Sequence, residues 1–285
     1  VYAICPVLYS CTKMQFPLPK LITFDGEARS GKGTVVGLVK DYLRDECGKK
    51  VMLIDAGQVF RVLVVAITEA GLHVDSPEAI DGYLLDQSNV AACVQRVKAV
   101  YHMSKDEREA LLYTNEIGVN SAKVGARPPS QAFKDDLLRK WLRDARVEGF
   151  EVVLLDGRAL EEVGGTLEQE GLCKYALGLF FVCDPIVSAQ RTLGKMPIPY
   201  DQLDADTRRA VDELVQQIES RNTSDRERAT HPVVLPQNAP RYSVTEVPAE
   251  LPPRSPRPVA IIDRSIEMPL REMALPIAKL SASYI

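Results

Sequence analysis

The spacing Gly-x-x-x-x-Gly-Lys at Gly26–Lys32 is the part of this chain with the clearest chemistry. It sits in Leu21–Thr34, LITFDGEARSGKGT, where the apolar run Leu21, Ile22, Thr23, Phe24 ends at Asp25. A loop opens at Gly26 and closes on Gly31-Lys32-Gly33-Thr34, where a helical pattern begins. Strand, glycine-rich loop and helix start make an anion cradle: bare N–H groups curl around a phosphate and the helix dipole adds positive potential. Lys32 then reaches the outer phosphates. A tight strand-to-helix turn would also favour glycine, but it leaves Lys32 unexplained. The expected contacts are Gly26, Glu27, Ala28, Arg29, Ser30, Gly31, Lys32, Gly33 and Thr34. Arg29 either adds a phosphate contact or faces solvent. Gly33 takes the place of the usual metal-binding Ser/Thr, so the Thr34 hydroxyl is expected to help hold Mg²⁺ through water.

Asp156 ends a hydrophobic strand, Glu151–Asp156, where an acid can order the water shell of that metal. The alternative is a strand-end cap. Arg61, Arg158, Arg221, Arg226 and Arg228 are the cations that could act on a phosphoryl group. The run Arg221–His231 is either a solvated charged face or a mobile cover bringing arginines to a transferring phosphate. No general base is needed if the acceptor is a phosphate monoester, whose second pKa is near ~6. Positioning and charge neutralisation then suffice.

Several elements must hold these groups. Apolar strands are expected at Leu21–Phe24, Lys50–Asp55, Glu151–Asp156, Ala176–Cys183 and Val259–Asp263. Helices are expected at Thr34–Arg44, Gln58–Ala70, Gln131–Glu148, Pro185–Thr192, Ala205–Glu219 and Leu270–Leu280, the last kinked or shortened by Pro276. Ser76 to Gly125 reads as mostly helical, with a strand considered at Val97–Tyr101 and a capping box at Ser104–Glu107. Arg127–Ser130 and Met196–Pro199 read as breaks, Glu161–Gly171 as an acidic connection, and Pro232–Pro258 as an extended, proline-rich excursion. Short apolar strands separated by helices predict an α/β fold, a five-stranded parallel sheet covered on both faces. Ligands of such sheets sit at the carboxyl ends of the strands, where Asp25-Gly26, Asp55-Ala56-Gly57 and Asp156-Gly157-Arg158 gather.

A net charge of −4 over 285 residues argues against a nucleic-acid-wrapping surface. The six cysteines form no C-x-x-C pair, so reduced thiols in a cytoplasm are expected, with neither zinc site nor disulfide framework. No apolar stretch reaches membrane-span length. The chain begins with Val1, and translation is expected to start at Met14.

Five stretches, in order, resemble the motifs of bacterial cytidylate (CMP/dCMP) kinases, members of the nucleoside-monophosphate kinase group. They are GEARSGKGT, DAGQVFR (Asp55–Arg61), TNEIGVNSAKVGARP (Thr114–Pro128), LLDGR (Leu154–Arg158) and RNTSDRERATHP (Arg221–Pro232). The resemblance implies a P-loop NTPase three-layer fold, ATP as donor, Mg²⁺ as cofactor and a nucleoside monophosphate as acceptor, with no nucleic-acid or membrane partner and a monomeric state. It implies catalytic roles for Lys32, Arg158, Arg221 and Arg228. Monophosphate binding would fall to Asp55, Gly57, Arg61, Arg158, Arg221 and Asp225, and the metal to Thr34 and Asp156. It divides the chain into a tail (1–19), core (20–72, 128–195 and 259–285), helical acceptor insert (73–127), lid (196–232) and proline-rich excursion (233–258). Ala56 stands where the family has serine, and Ala159 where it has a base-reading aspartate. Lys134 is matched to a family arginine, and Ala122 lies opposite a family serine with Ser121 adjacent. The expected activity is ATP-dependent phosphorylation of CMP or dCMP with altered base choice. The alternative is a nucleotide-binding sensor or partner-binding protein with lost or shifted transfer, and a kinase of another small acceptor is a further rival.

Overall fold

The computed structural model describes residues 16–196, 198–229 and 231–285. The N-terminal tail with Met14, and Pro197 within the break at Met196–Pro199, lie outside these residues. Strand β1 (Lys20–Gly26) runs into the glycine-rich loop, and helix α1 (Lys32–Asp45) leaves it. Strand β2 (Val51–Asp55) passes directly into α2 (Ala56–Glu69), capped by the Asp55 carboxylate, which accepts from Gln58 N at 3.0 Å. Four helices follow: α3 (Pro77–Leu85), α4 (Gln87–His102), α5 (Lys105–Leu112) and α6 (Asn115–Gly125). Ser76, Asp86, Ser104 and Thr114 cap them, and Ser104 with Glu107 forms the expected box. Val97–Tyr101 is not a strand; it lies inside α4, where Cys93, Val97 and Val100 are buried at helical spacing.

Pro128 and Pro129 do not interrupt the chain but start α7 (Pro128–Val147), because first-turn residues have no intrahelical N–H partner to lose. Strand β3 (Val152–Asp156) is followed by α8 (Leu160–Gln169), so the expected acidic connection is a helix. Its glycines serve close packing: a Cβ on Gly164 would meet Tyr175 at 2.7 Å, and one on Gly165 the Arg257 guanidinium at 2.6 Å. Strand β4 (Lys174–Val182), α9 (Pro185–Thr192) and α10 (Ala205–Arg226) come next. Helix α10 extends past Glu219 and takes in the first half of the charged segment. The proline-rich excursion contributes β5 (Arg241–Ser243) before β6 (Val259–Asp263) and α11 (Leu270–Ser283), which continues through Pro276.

Among the described residues the sheet thus has six parallel strands, in the order β2-β3-β1-β4-β6-β5, one more than expected. The reason is β5, whose three residues between prolines carry no periodic signal. Ile22 and Phe24 face one layer with α1 and α11, while Leu21, Val153 and Leu155 face the other with α7 and α8. Each such fully buried side chain contributes about 1.5–3 kcal/mol. A one-residue slip of β1 would exchange the two sets, so its register is firmly set. Helices α2–α6 share a separate core joined by Phe133 and Leu137 of α7. Among the described residues no helix is long and apolar enough to cross a membrane. The whole is a three-layer, P-loop NTPase-like α/β fold.

Candidate functional site

β1 lies between β3 and β4, so the chain winds to opposite sides from it and leaves a crevice at its carboxyl end. Gly26 is needed there: its φ is 146°, and a Cβ would come within 2.3 Å of the Phe181 carbonyl oxygen. Gly31, in the left-handed region with φ 75°, begins α1. Arg29 also has positive φ and its side chain is exposed. Glu27 is partly buried, its carboxylate 4.0 Å from Arg226 of α10, and burial raises its pKa. Ala28 donates its N–H to Asn222 Oδ1 of α10 at 2.8 Å. Nothing in the sequence singles out Asn222 for this contact.

Lys32 pairs with Asp156 at the end of β3. Parallel register places Asp156 beside both Phe24 and Asp55, so strand pairing alone brings it to the loop. Burial pulls Lys32 down to about 8, against the raising pull of Asp25 and Asp55. Asp25 is buried, accepting from Gly26 N and Leu160 N, each at 2.7 Å, and burial raises its pKa. It ties the loop to the start of α8. Thr34 is exposed in the first turn of α1, and a Cβ on Gly33 would lie 3.7 Å from Asp156 Oδ2. A hydroxyl and one carboxylate fit a hard cation that brings phosphate oxygens and waters of its own. Among the described residues no group of three or more His, Cys, Asp or Glu is placed to hold a metal.

The lysine sets a pH dependence. A lowered pKa means that Lys32 loses its charge as pH rises through about 8, and a bound polyphosphate would draw the proton back. Tripolyphosphate affinity should therefore fall above about pH 8, with proton uptake on binding. Calorimetry in two buffers of different ionisation enthalpy reads that uptake; equal heats above pH 8 would exclude it.

The opposite wall is cationic. Arg158 pairs with Asp225 of α10, which also takes Arg221 Nε at 3.0 Å and lies 3.7 Å from Arg228 Nε. One carboxylate, 2% exposed, thus faces three guanidinium groups. Arg158 is pulled down to about 9 by burial, then by Arg221 and Arg228. Arg221 falls to about 10 by burial, then by Arg228 and Arg61, and burial also lowers Arg228. Such mutual repulsion marks a place suited to an anion.

Arg61, in the second turn of α2, donates to Leu112 O at 2.9 Å and stacks over the Tyr113 ring, 4.4 Å from its centroid. Tyr113 Oη donates to Asp55 Oδ2 at 2.8 Å. Tyr113 precedes the Thr114 cap, and nothing in the sequence singled it out. Arg221 also reaches Gly118 O of α6 at 3.3 Å, so α2, α6 and α10 converge. Gly57 lies beside Asp55: a Cβ there would come within 3.2 Å of Oδ1. Ala56 is buried against Gly157, and Ala159 has φ 56° at the start of α8. Lys134, 3% exposed, pairs with Asp135 at 2.8 Å, and burial lowers its pKa. Ser121 donates to Gly118 O.

Two known proteins resemble the chain over part of its length. It is 29% identical to a cytidylate kinase of Colwellia psychrerythraea over 120 residues, 42% of this chain and 49% of that one. It is 27% identical to a cytidylate kinase of Pseudomonas fluorescens over 145 residues, 50% of this chain and 58% of that one. The matched stretches thus span about half the length of these curated relatives. No family model matches. The similarities point to a distant relationship with kinases of that name.

Proposed function

We propose that the chain is an ATP- and Mg²⁺-dependent nucleoside-monophosphate kinase of cytidylate-kinase type, acting as a cytoplasmic monomer. The observation that carries this reading is the meeting, at one sheet edge, of Lys32 from the loop with Arg158, Arg221 and Arg228 around Asp225. Transfer between two phosphates needs cations on both sides of the moving group. The loop and Lys32 hold the outer donor phosphates. Arg158, Arg221 and Arg228 neutralise charge on the transferring group, while Arg61, Asp55, Gly57 and Asp225 position the acceptor. Thr34 and Asp156 would hold Mg²⁺, which when bound neutralises the donor phosphate oxygens. Residues 73–127 serve as the acceptor insert and 196–232 as the lid.

CMP and dCMP are the acceptors favoured by the relatives' names, but Ala56 and Ala159 offer no polar group to a base. A reader that leaves buried groups unpaired is what rejects a wrong base, so its loss should relax discrimination before it abolishes transfer. Coupled ADP release with CMP, dCMP, UMP and AMP compared side by side tests both points. Transfer to more than one base is expected. Strict CMP use would end the relaxed-choice reading, and no ADP release with any monophosphate would favour the sensor reading, which the same two alanines motivate.

A further inference from the structure

Arg264 leaves β6 directly after Asp263 and turns under the phosphate loop, where it is 4% exposed. Its Nη1 donates to Ser30 O at 3.0 Å, and Nε and Nη2 point to Met273 Sδ of α11. The guanidinium lies so close below Gly31 that a Cβ there would come within 2.2 Å of Nη1. Among the described residues no carboxylate forms an ion pair with it; its hydrogen bonds all go to neutral acceptors. The carboxylate nearest in effect, Glu267, is bonded to Arg191 at 2.7 Å, and Arg191 itself adds like charge. Burial pulls Arg264 down to about 10, still a cation at neutral pH.

A buried charge is costly without a counter-charge, and structures normally supply one. We infer that Arg264 is the cationic floor of the phosphate loop, and that its counter-charge arrives with the bound polyphosphate. The inference rests on the reading of Gly26–Thr34 as a polyphosphate site. Arg264 acts through the loop: it neutralises the Ser30 carbonyl, which would otherwise repel a phosphate, and adds positive potential under Gly31. It is a positioning residue, outside direct reach of the transferring group. This role separates ligand affinity from the stability of the free protein. A side chain that merely filled space would serve both together.

The test compares Arg264→Met and Arg264→Lys with the wild-type full chain, using inorganic tripolyphosphate as the probe. Calorimetry gives its affinity at low and high salt, and thermal melting without ligand gives stability. Arg264→Met should bind tripolyphosphate about tenfold more weakly, as loss of one desolvated positive charge beneath the loop implies. Its salt dependence should be shallower, while the ligand-free melting temperature stays level or rises. Arg264→Lys should recover most of the affinity. Wild-type affinity in Arg264→Met, or a parallel fall in affinity and ligand-free stability that lysine does not restore, would overturn the inference. A wild-type chain that ignores tripolyphosphate would instead overturn the polyphosphate reading beneath it.

Discussion

Replacing Arg221 and Arg228 together with alanine should slow phosphoryl transfer by about three to five orders of magnitude, the range seen for arginines aimed at a transferring phosphate. Both guanidinium groups face Asp225; burial lowers both pKa values, and for Arg221 the charges of Arg228 and Arg61 lower it further. In transfer, negative charge spreads over the moving group, so fixed cations stabilise the transition state more than the ground state. The fold should survive. Helix α10 is anchored by Val211, Leu214 and Ile218, which neither change touches. Single-turnover rates with ATP and CMP, taken beside melting curves, separate the two effects. A rate within tenfold of wild type at unchanged stability would remove these arginines from the mechanism.

Asp225→Ala should destabilise the free protein by roughly 3 kcal/mol, the low end for breaking a buried pair, because the arginines keep some contact with water. The carboxylate holds Arg158, Arg221 and Arg228 together, and its loss leaves three cations facing one another. An anion that binds only the folded state should repair part of the loss by mass action. Urea unfolding with and without sulfate reads both quantities. Full wild-type stability, or a defect that sulfate leaves untouched, would show that Asp225 is not the counter-ion holding this wall.

Much of the site was legible because its groups sit where periodic segments end. Asp25, Asp55 and Asp156 each close an apolar run, and parallel pairing brings run-ends to one edge whatever lies between them. Arg264 also follows such a run, yet a charged residue after a strand reads as a solvent-facing turn. Only tertiary packing shows that it turns inward beneath Gly31. Gly164 and Gly165 misled in the opposite sense. Glycine in a helical stretch reads as an interruption, whereas here it admits the Tyr175 ring and the Arg257 guanidinium. Asn222 and Tyr113 escaped because their partners, Ala28 and Arg61, are distant in the chain or on another helix.

The length of α10 has an entropic consequence. Were Arg221–Arg226 a loose loop, each residue would have to be frozen when substrate arrived, at about 1–2 kcal/mol apiece. As the last turns of one helix they are already ordered. Arg221 and Asp225 stand one turn apart, and Asn222 between them holds the Ala28 N–H. Were this helix end to act as the proposed lid, its movement would carry all three together and freeze a single hinge rather than a chain of rotors.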